Sequence, residues 1–273
     1  MFQVRKKRSM FTSAIIMAEL VYHSSVRSVR NTHGNALMSI IMNLLQMIIM
    51  IAAFYVLFSL LGLRGAMLRG DFLLYIMTGI FLYMTHVKTL GAVAGAEGPS
   101  SAMMQHAPMN TIISIFAGAL STLYIQTLSL IVILFGYHVG VTPFDIEDPF
   151  GAYGMLLMAW FTGAAVGVVL LAIKPWAPTV VRIFTIVYQR ANMIASGKMF
   201  VANTLPAEKL RLFDWNPLFH CIDQSRGFAF VNYFPRNSSW EYPLYVGIVI
   251  LMIGFMAEFY TRRHASLSWS ARR

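Results

Sequence analysis

The stretch SGKMFVANTLPAEKLRLFDWNPLFHCIDQSRGF, Ser196 to Phe228, decides the architecture. It is too polar to cross a bilayer and too apolar to be a free loop. It opens on the small pair Ser196-Gly197, passes Leu205-Pro206 and an amphipathic run, and reaches Asn216-Pro217 and then Arg226. Apolar stretches flank it at 179–194 and 242–260. The expected form of 196–240 is two short helices that dip back toward the membrane between two spans. Pro206 and Pro217 suit breaks where a backbone donor is missing anyway. Helix ends inside a membrane must be satisfied by protein or water. Arg226 is the residue expected to satisfy carbonyls or a carboxylate at the re-entry point.

Composition extends the reading to the whole chain. Hydrophobic residues make up 58% and charged residues 12%, against about 25% charged in a soluble domain. Six stretches, 35–62, 72–96, 112–137, 153–173, 179–194 and 242–260, are long enough or nearly so to cross about 30 Å of hydrocarbon at about 1.5 Å per residue. The fifth is short and needs help from its neighbours. Backbone groups in lipid must be satisfied internally, so helices are expected. The alternation of outer-membrane strands is absent. The expected fold is one all-α integral membrane domain over 1–273, with six transmembrane helices.

The net charge is +10. Its distribution points to topology and not to nucleic acid. Arg5, Lys6, Lys7, Arg8, Arg27 and Arg30 precede the first span, and Arg262, Arg263, Arg272 and Arg273 follow the last. Six spans with this bias put both termini in the cytoplasm of a multi-pass protein. The opposite side would hold Asp145, Glu147 and Asp148, but also Arg64 and Arg69. No cleavable signal peptide is expected, since the basic start leads to an apolar patch containing Glu19. The single cysteine, Cys221, rules out an internal disulfide and a cysteine-rich metal site.

Residues 9–31 read differently. Phe11, Ile15, Ala18, Tyr22, Val26 and Val29 recur at helical spacing, with Thr12, Glu19, His23, Arg27 and Arg30 on the other side. This is an amphipathic helix expected to lie in the membrane interface. It serves as an anchor, as a docking surface, or as both. A second surface element is expected after 72–96. Glu97-Gly98-Pro99 ends the preceding helix, and Ser100 or Ser101 caps a short turn holding Met103 and Met104. Pro108, beyond His106, separates it from the next span. Adjacent exposed methionines suit a docking surface better than a linker.

Sequence signs of covalent chemistry are few. There is no G-x-x-x-x-G-K-[ST] loop, no H-E-x-x-H and no G-x-S-x-G. The seven histidines are scattered, so no metal site and no catalytic residue is expected. Polar residues inside the spans carry more weight, because they are costly in lipid. Ser39, Asn43 and Gln46 share one helical face; Thr85, His86, Lys88 and Thr89 lie near one end of their span. Gln126 sits among Ser121, Thr122 and Thr127, and 179–194 holds Arg182, Gln189, Arg190 and Asn192. They line a wet path or make helix–helix hydrogen bonds. Phe54, Tyr55 and Phe58, with Tyr75, Phe81 and Tyr83, are either ordinary packing or an aromatic path along which a glycan slides. Gly91-x-x-x-Gly95 and Gly163-x-x-x-Gly167 are small-residue faces for close packing.

In this order of elements the chain resembles the membrane subunit of ABC-2 type exporters, in the branch that exports capsular polysaccharide and O-antigen. The match is best from Gly197 to Arg226, through Leu205-Pro206 and Trp215-Asn216-Pro217-Leu218, and extends to Glu19–Asn43. Lys198-Met199-Phe200 departs from the more apolar run usual there. The resemblance implies a permease moving a lipid-linked polysaccharide across the bacterial inner membrane. It implies a second copy of the chain and two copies of a cytoplasmic ABC ATPase, which holds ATP and Mg while this chain binds no cofactor. Periplasmic and outer-membrane export proteins are further expected partners. Glu97, Ser101, Met103, Met104, His106, Glu19 and Arg27 would couple to the ATPase. Asn43, Gln46, Phe54, Tyr55, Phe58, Tyr83, Gln126 and Arg190 would line the translocation path. Gly197, Leu205, Pro206, Asn216, Pro217 and Arg226 would form the gate. The alternatives are an ABC-2 exporter of another amphiphile, a secondary transporter or a membrane-embedded enzyme.

Overall fold

The structure is a computed structural model that describes residues 10–31, 35–62, 70–98 and 110–264. Among these residues the chain is helical, without strands. The helices are α1 (Met10–Asn31), α2 (Ala36–Leu60), α3 (Phe72–Ala94), α4 (Thr111–Gly140), α5 (Pro149–Ile173), α6 (Pro178–Ala195), α7 (Ala207–Leu210), α8 (Pro217–Ala229) and α9 (Glu241–His264). The upper end of the bundle holds Phe72, Gly140 and Pro149; the lower end holds Ala94, Thr111 and Ile173.

Helix starts follow the sequence closely. Asn35, Asp71, Asn110, Asp148 and Asn216 each precede a helix and accept a hydrogen bond from its first turn. This satisfies donors that the helix itself leaves unpaired. Pro149 and Pro217 then occupy first-turn positions where no donor is needed.

Five helices, α2, α3, α4, α5 and α9, are long and apolar enough to cross a membrane. The sixth expected span forms α6, an 18-residue helix that does not meet that description. Its run of Arg182, Gln189, Arg190 and Asn192 is the reason. The segment 196–240 forms a 3-10 turn at Ala202–Thr204, the single turn α7 and the longer α8. The surface helix expected around 97–108 lies almost wholly outside the described residues.

α3 is the central helix, packed most extensively on α5 and further on α4, α2 and α8; α9 covers the other side of α5. Close approach of α3 and α5 depends on two glycines. A Cβ at Gly163 would stand 2.4 Å from the His86 carbonyl oxygen, and one at Gly167 would stand 2.7 Å from Val93 Cβ. Gly91 and Gly95 instead border a cavity. α1 lies along the lower part of α4 and reaches α2.

The depth of each element can be read from its contacts with α3. On α6, Val181 packs with Leu90 and Ala94. Further along, His86 Nε2 meets the Tyr188 hydroxyl at 3.1 Å, and the Tyr83 hydroxyl donates to the Gln189 carbonyl at 3.1 Å. Lys198 then sits against Gly79. Gly79 is seven residues inside α3, about 10 Å below its upper start at 1.5 Å per residue. α6 therefore climbs from the lower end and stops well short of the top. α9 is recessed too, since Gly247 near its start faces Phe161 and Thr162, deep in α5. The segment 196–240 fills the resulting step.

Candidate functional site

The step is closed by one arginine. Arg226 of α8 is 1% exposed. Its Nη1 donates to the carbonyls of Gly197 and Phe200 at 3.0 and 2.7 Å, and its Nη2 donates to that of Lys198 at 3.0 Å. The guanidinium lies 4.2 Å over the Tyr75 ring. The planar fork of arginine suits several fixed acceptors at once, and its face suits an aromatic ring. Arg226 thus satisfies three carbonyls of the turn from 197 to 200.

The turn that Arg226 grips needs Gly197, whose φ is +74° and whose missing Cβ would stand 2.6 Å from Phe219. Both conditions favour glycine. Asn216 ties the two ends of the segment together. Its Nδ2 donates to Asn192 Oδ1 and to the Ala195 carbonyl, both at 2.9 Å, while its Oδ1 caps α8. Pro217 is buried behind it; Leu205 is half-buried and Pro206 exposed.

Lys198 points into the bundle from this turn. It is 2% exposed, with Nζ 3.6 Å from the centre of the Tyr83 ring and 4.7 Å from that of Phe54. Its ammonium has no hydrogen-bond partner among the described residues. Burial pulls its pKa down to about 7. The same segment holds Asp223, which accepts from the Tyr233 hydroxyl and, at 2.7 Å, from Ser238 Oγ. His220 Nε2 donates to the Asp214 carbonyl at 2.6 Å and Nδ1 accepts from the Ser239 amide at 3.1 Å, which fixes a neutral tautomer. Burial lowers the His220 pKa as well. The thiol of Cys221 is fully buried, and burial raises its pKa.

A second polar zone lies lower, around Asn43. Asn43 Nδ2 donates to Ser129 Oγ at 2.7 Å, and its Oδ1 accepts from Lys88 and, at 3.3 Å, from Gln126. Lys88 therefore turns inward and joins α3 to α2 and α4. Gln46 is exposed and faces the adjoining cavity. The structure thus brings Asn43, Gln46 and Gln126 together. Phe54, Phe58 and Tyr55 cluster higher up around Phe72, with ring centres about 6 Å apart. Tyr83 lies between the two zones, and Arg190 stands exposed on α6.

Of the expected coupling residues, Ser101, Met103, Met104 and His106 lie outside the described residues. Glu97 is exposed, its amide donating to Ser114 Oγ at 3.0 Å. Glu19 is exposed on α1, 3.8 Å from His23, and Arg27 is exposed further along.

No family model matches the chain. Two relatives from Escherichia coli do, each named polysialic acid transport protein KpsM. One is 22% identical and the other 24%, and each comparison covers 77% of this chain and 82% of the relative. The chain resembles the permeases of the ABC-2 capsular exporter family.

Arg226, Asn216 and Gly197 stand out in the sequence because each is an unusual residue for its setting. Tyr75 stands there among the aromatic residues, but its contact with Arg226 and the pairing of Asp223 with Tyr233 are not legible in the sequence. An aromatic residue in an apolar span gives no sign of which cation it will face. Asp223 and Tyr233 are ten residues apart, with a helix end between them.

Proposed function

We propose that this chain is the membrane-spanning permease subunit of an ATP-driven exporter. Its cargo is a lipid-linked polysaccharide of capsular or O-antigen type, moved across the bacterial inner membrane. Two copies form the pathway, and a separate cytoplasmic ATPase supplies ATP and Mg. Both termini face the cytoplasm, so the upper end of the bundle faces outward. The relatives' name, polysialic acid transport, supports the cargo class.

The observation that carries the reading is the seating of 196–240. Its first turn packs at Gly79, inside α3, and is held there by the buried Arg226. A segment that enters a membrane from the outer side and turns back needs its carbonyls satisfied by protein. Arg226 satisfies three. We read this segment as a re-entrant gate, α6 as a short sixth span, and the region around Glu97 together with α1 as the ATPase-facing surface. Polar groups buried at the step match the expectation that intramembrane polarity marks a pathway.

Thiol labelling tests the gate. Cys221→Ser is the background, and single cysteines are placed at Leu205 and Phe219. Phe219 is 1% exposed, so a cysteine there is expected to resist an external thiol reagent at rest. It is expected to label when the complex with its ATPase is trapped with a non-hydrolysable nucleotide. The half-buried Leu205 position is expected to label in both states at different rates. Identical labelling at both positions in every state would show a static segment, with the gate elsewhere. Intrinsic ATPase activity in the isolated chain would overturn the division of labour.

A further inference from the structure

A cavity of about 810 Å³ lies between α2, α3 and α4 in the upper half of the bundle. Its body is apolar, walled by Ile48 and Ile51 of α2, Met77 of α3 and Ile133 of α4. That volume is within the range of about 300–1,000 Å³ that encloses small ligands. The few polar groups gather at the upper end. Asp71 stands there, the only charged residue on the wall among the described residues. Three aromatic residues, Tyr55, Phe72 and Tyr137, share that end with it. The rings of Tyr55 and Phe72 are 6.0 Å apart and tilted by 47°, so neither covers the other's face. Asp71 is firmly held. Its Oδ1 accepts from the Leu73 and Leu74 amides at 2.8 and 3.2 Å, and its Oδ2 accepts from the Tyr137 hydroxyl at 2.6 Å. A carboxylate has about four acceptor positions, so most are taken. No basic side chain pairs with it among the described residues. His138, next to Tyr137, lines no part of the cavity and accepts instead from the Phe144 amide at 3.3 Å.

We infer that this cavity binds an onium cation with apolar substituents, a quaternary ammonium or a phosphonium. The charged centre lies beside Asp71 among Tyr55, Phe72 and Tyr137, and the apolar groups fill the space toward Ile48 and Met77. Three observations carry it. The single charge on the wall is negative and has no described counter-ion. Its acceptor positions are mostly used, so it offers a ligand charge more than hydrogen bonds. A cation without N–H donors suits that, and aromatic rings attract such a cation without needing donors from it. The rest of the wall is apolar, which excludes a ligand that carries polar groups along its length, since these would be buried unpaired. An anion of the same shape would meet Asp71 as a like charge.

Binding can be measured on the full chain in a nonionic detergent. The probes are tetraphenylphosphonium and tetraphenylborate, which share size and shape and differ in sign. Each ion is compared between wild type and variant, so its partition into detergent cancels. Wild type is expected to bind the phosphonium saturably. Asp71→Asn keeps a capping oxygen for α3 and removes the charge. It should weaken the phosphonium by about tenfold, the scale of one partly desolvated cation contact, and should not weaken the borate. Tyr55→Leu should weaken the phosphonium by a smaller factor. Gly136 lines the cavity, and a Cβ there meets nothing within 4 Å. Gly136→Phe should therefore fill the space and abolish phosphonium binding. Absence of saturable phosphonium binding by wild type would overturn the inference, as would equal weakening of both ions by Asp71→Asn. If Asp71→Asn does not fold, unaltered phosphonium affinity in both Tyr55→Leu and Gly136→Phe would overturn it. Two sources present such a cation, a choline headgroup and a free onium ion. Competition by added phosphatidylcholine supports the first as the occupant, and its failure supports the second.

Discussion

α2 and α3 are both long enough to span a membrane, yet they are built on opposite plans. In α3, 83% of the most apolar window is buried inside the chain; in α2 the figure is 22%. The more buried helix is the less apolar one, carrying Thr78, Thr85, His86 and Thr89, all buried. A soluble core would show the reverse. In lipid, apolar side chains gain little by leaving the solvent, so packing and hydrogen bonds select what goes inside. α3 is therefore a polar spine. α2 keeps a single polar stripe, Ser39 and Asn43, against its neighbours, and turns Leu37, Ile41, Leu45 and Ile49 outward. If the plan is right, substitutions that damage the surroundings of α3 should cost far more than those on α2.

Arg226→Ala carries the largest expected effect. It leaves the carbonyls of Lys198 and Phe200 unpaired beside Tyr75, and that of Gly197 with only the Phe200 amide at 3.4 Å. Each orphaned buried group costs about 1–3 kcal/mol, so the total is several kcal/mol. At roughly 2–4 °C per kcal/mol for a chain of this size class, the thermal midpoint in detergent should fall by about 10 °C or more. Arg226→Lys should recover little, because an ammonium cannot reach three fixed acceptors. A midpoint unchanged in Arg226→Ala would mean that α3 does not organise the step.

Gly163→Ala comes next. The new methyl would lie 2.4 Å from the His86 carbonyl oxygen, and that neighbour is backbone, which gives way poorly. Overpacking of this kind costs about 1–3 kcal/mol. Gly136→Ala is the control, since a methyl there meets nothing within 4 Å. Equal midpoints for the two variants, measured side by side, would show that α3 and α5 are not in close register.

How much of this was legible in the sequence varies by region. The helix starts are marked by the caps Asn35, Asp71, Asn110, Asp148 and Asn216, although the start expected at 153 lies four residues beyond the one that Asp148 caps. The step was legible in outline: Gly197, Asn216-Pro217 and Arg226 stand out in an apolar chain. Its internal form was not. Two short helices were expected, but a single turn precedes α8, since the residues from Val201 to Trp215 are mostly exposed and have little to pack on. The burial pattern of the spans was also hidden. Periodicity cannot tell a lipid-facing leucine from a buried one when both surroundings are apolar. The same ambiguity kept packing and pathway both open for Phe54, Tyr55 and Phe58, whose rings the structure places together around Phe72.

A smaller effect is expected where the two plans touch. Asn43 is the polar contact of α2 with α3 and α4. Asn43→Ala should cost about 1 kcal/mol, the scale of an interhelical hydrogen bond in a membrane, and lower the midpoint by about 2–4 °C. Gln46→Leu, one turn on and exposed, should change it by less than the error of measurement. A Gln46→Leu effect as large as that of Asn43→Ala would erase the distinction between the buried and open faces of α2.

Lys198→Met is expected to raise the midpoint at neutral pH, in contrast to the losses above, and the gain should fade as pH rises. The ammonium gains two aromatic faces, each contributing about 0.5–2 kcal/mol, but it is buried with no hydrogen-bond partner. Methionine keeps the apolar contacts and removes the buried charge, and since burial holds the Lys198 pKa down to about 7, the burial penalty exceeds the aromatic gain. Because the folded pKa is near 7, below the ordinary lysine value of about 10.4, the unfolded chain binds more protons between those limits. Stability of the wild type must then rise with pH across that window and lose its pH dependence below the folded value. Lys198→Met removes this contribution. The difference in thermal midpoint, wild type minus variant, should therefore grow from pH 7 to pH 10 and stay flat from pH 6 to pH 5. A difference that is constant over the whole range would mean that Lys198 stays charged in the fold, with solvent reaching the space between Tyr83 and Phe54. The upper part of α3 would then be wet, and the contrast with α2 would hold only for its lower half.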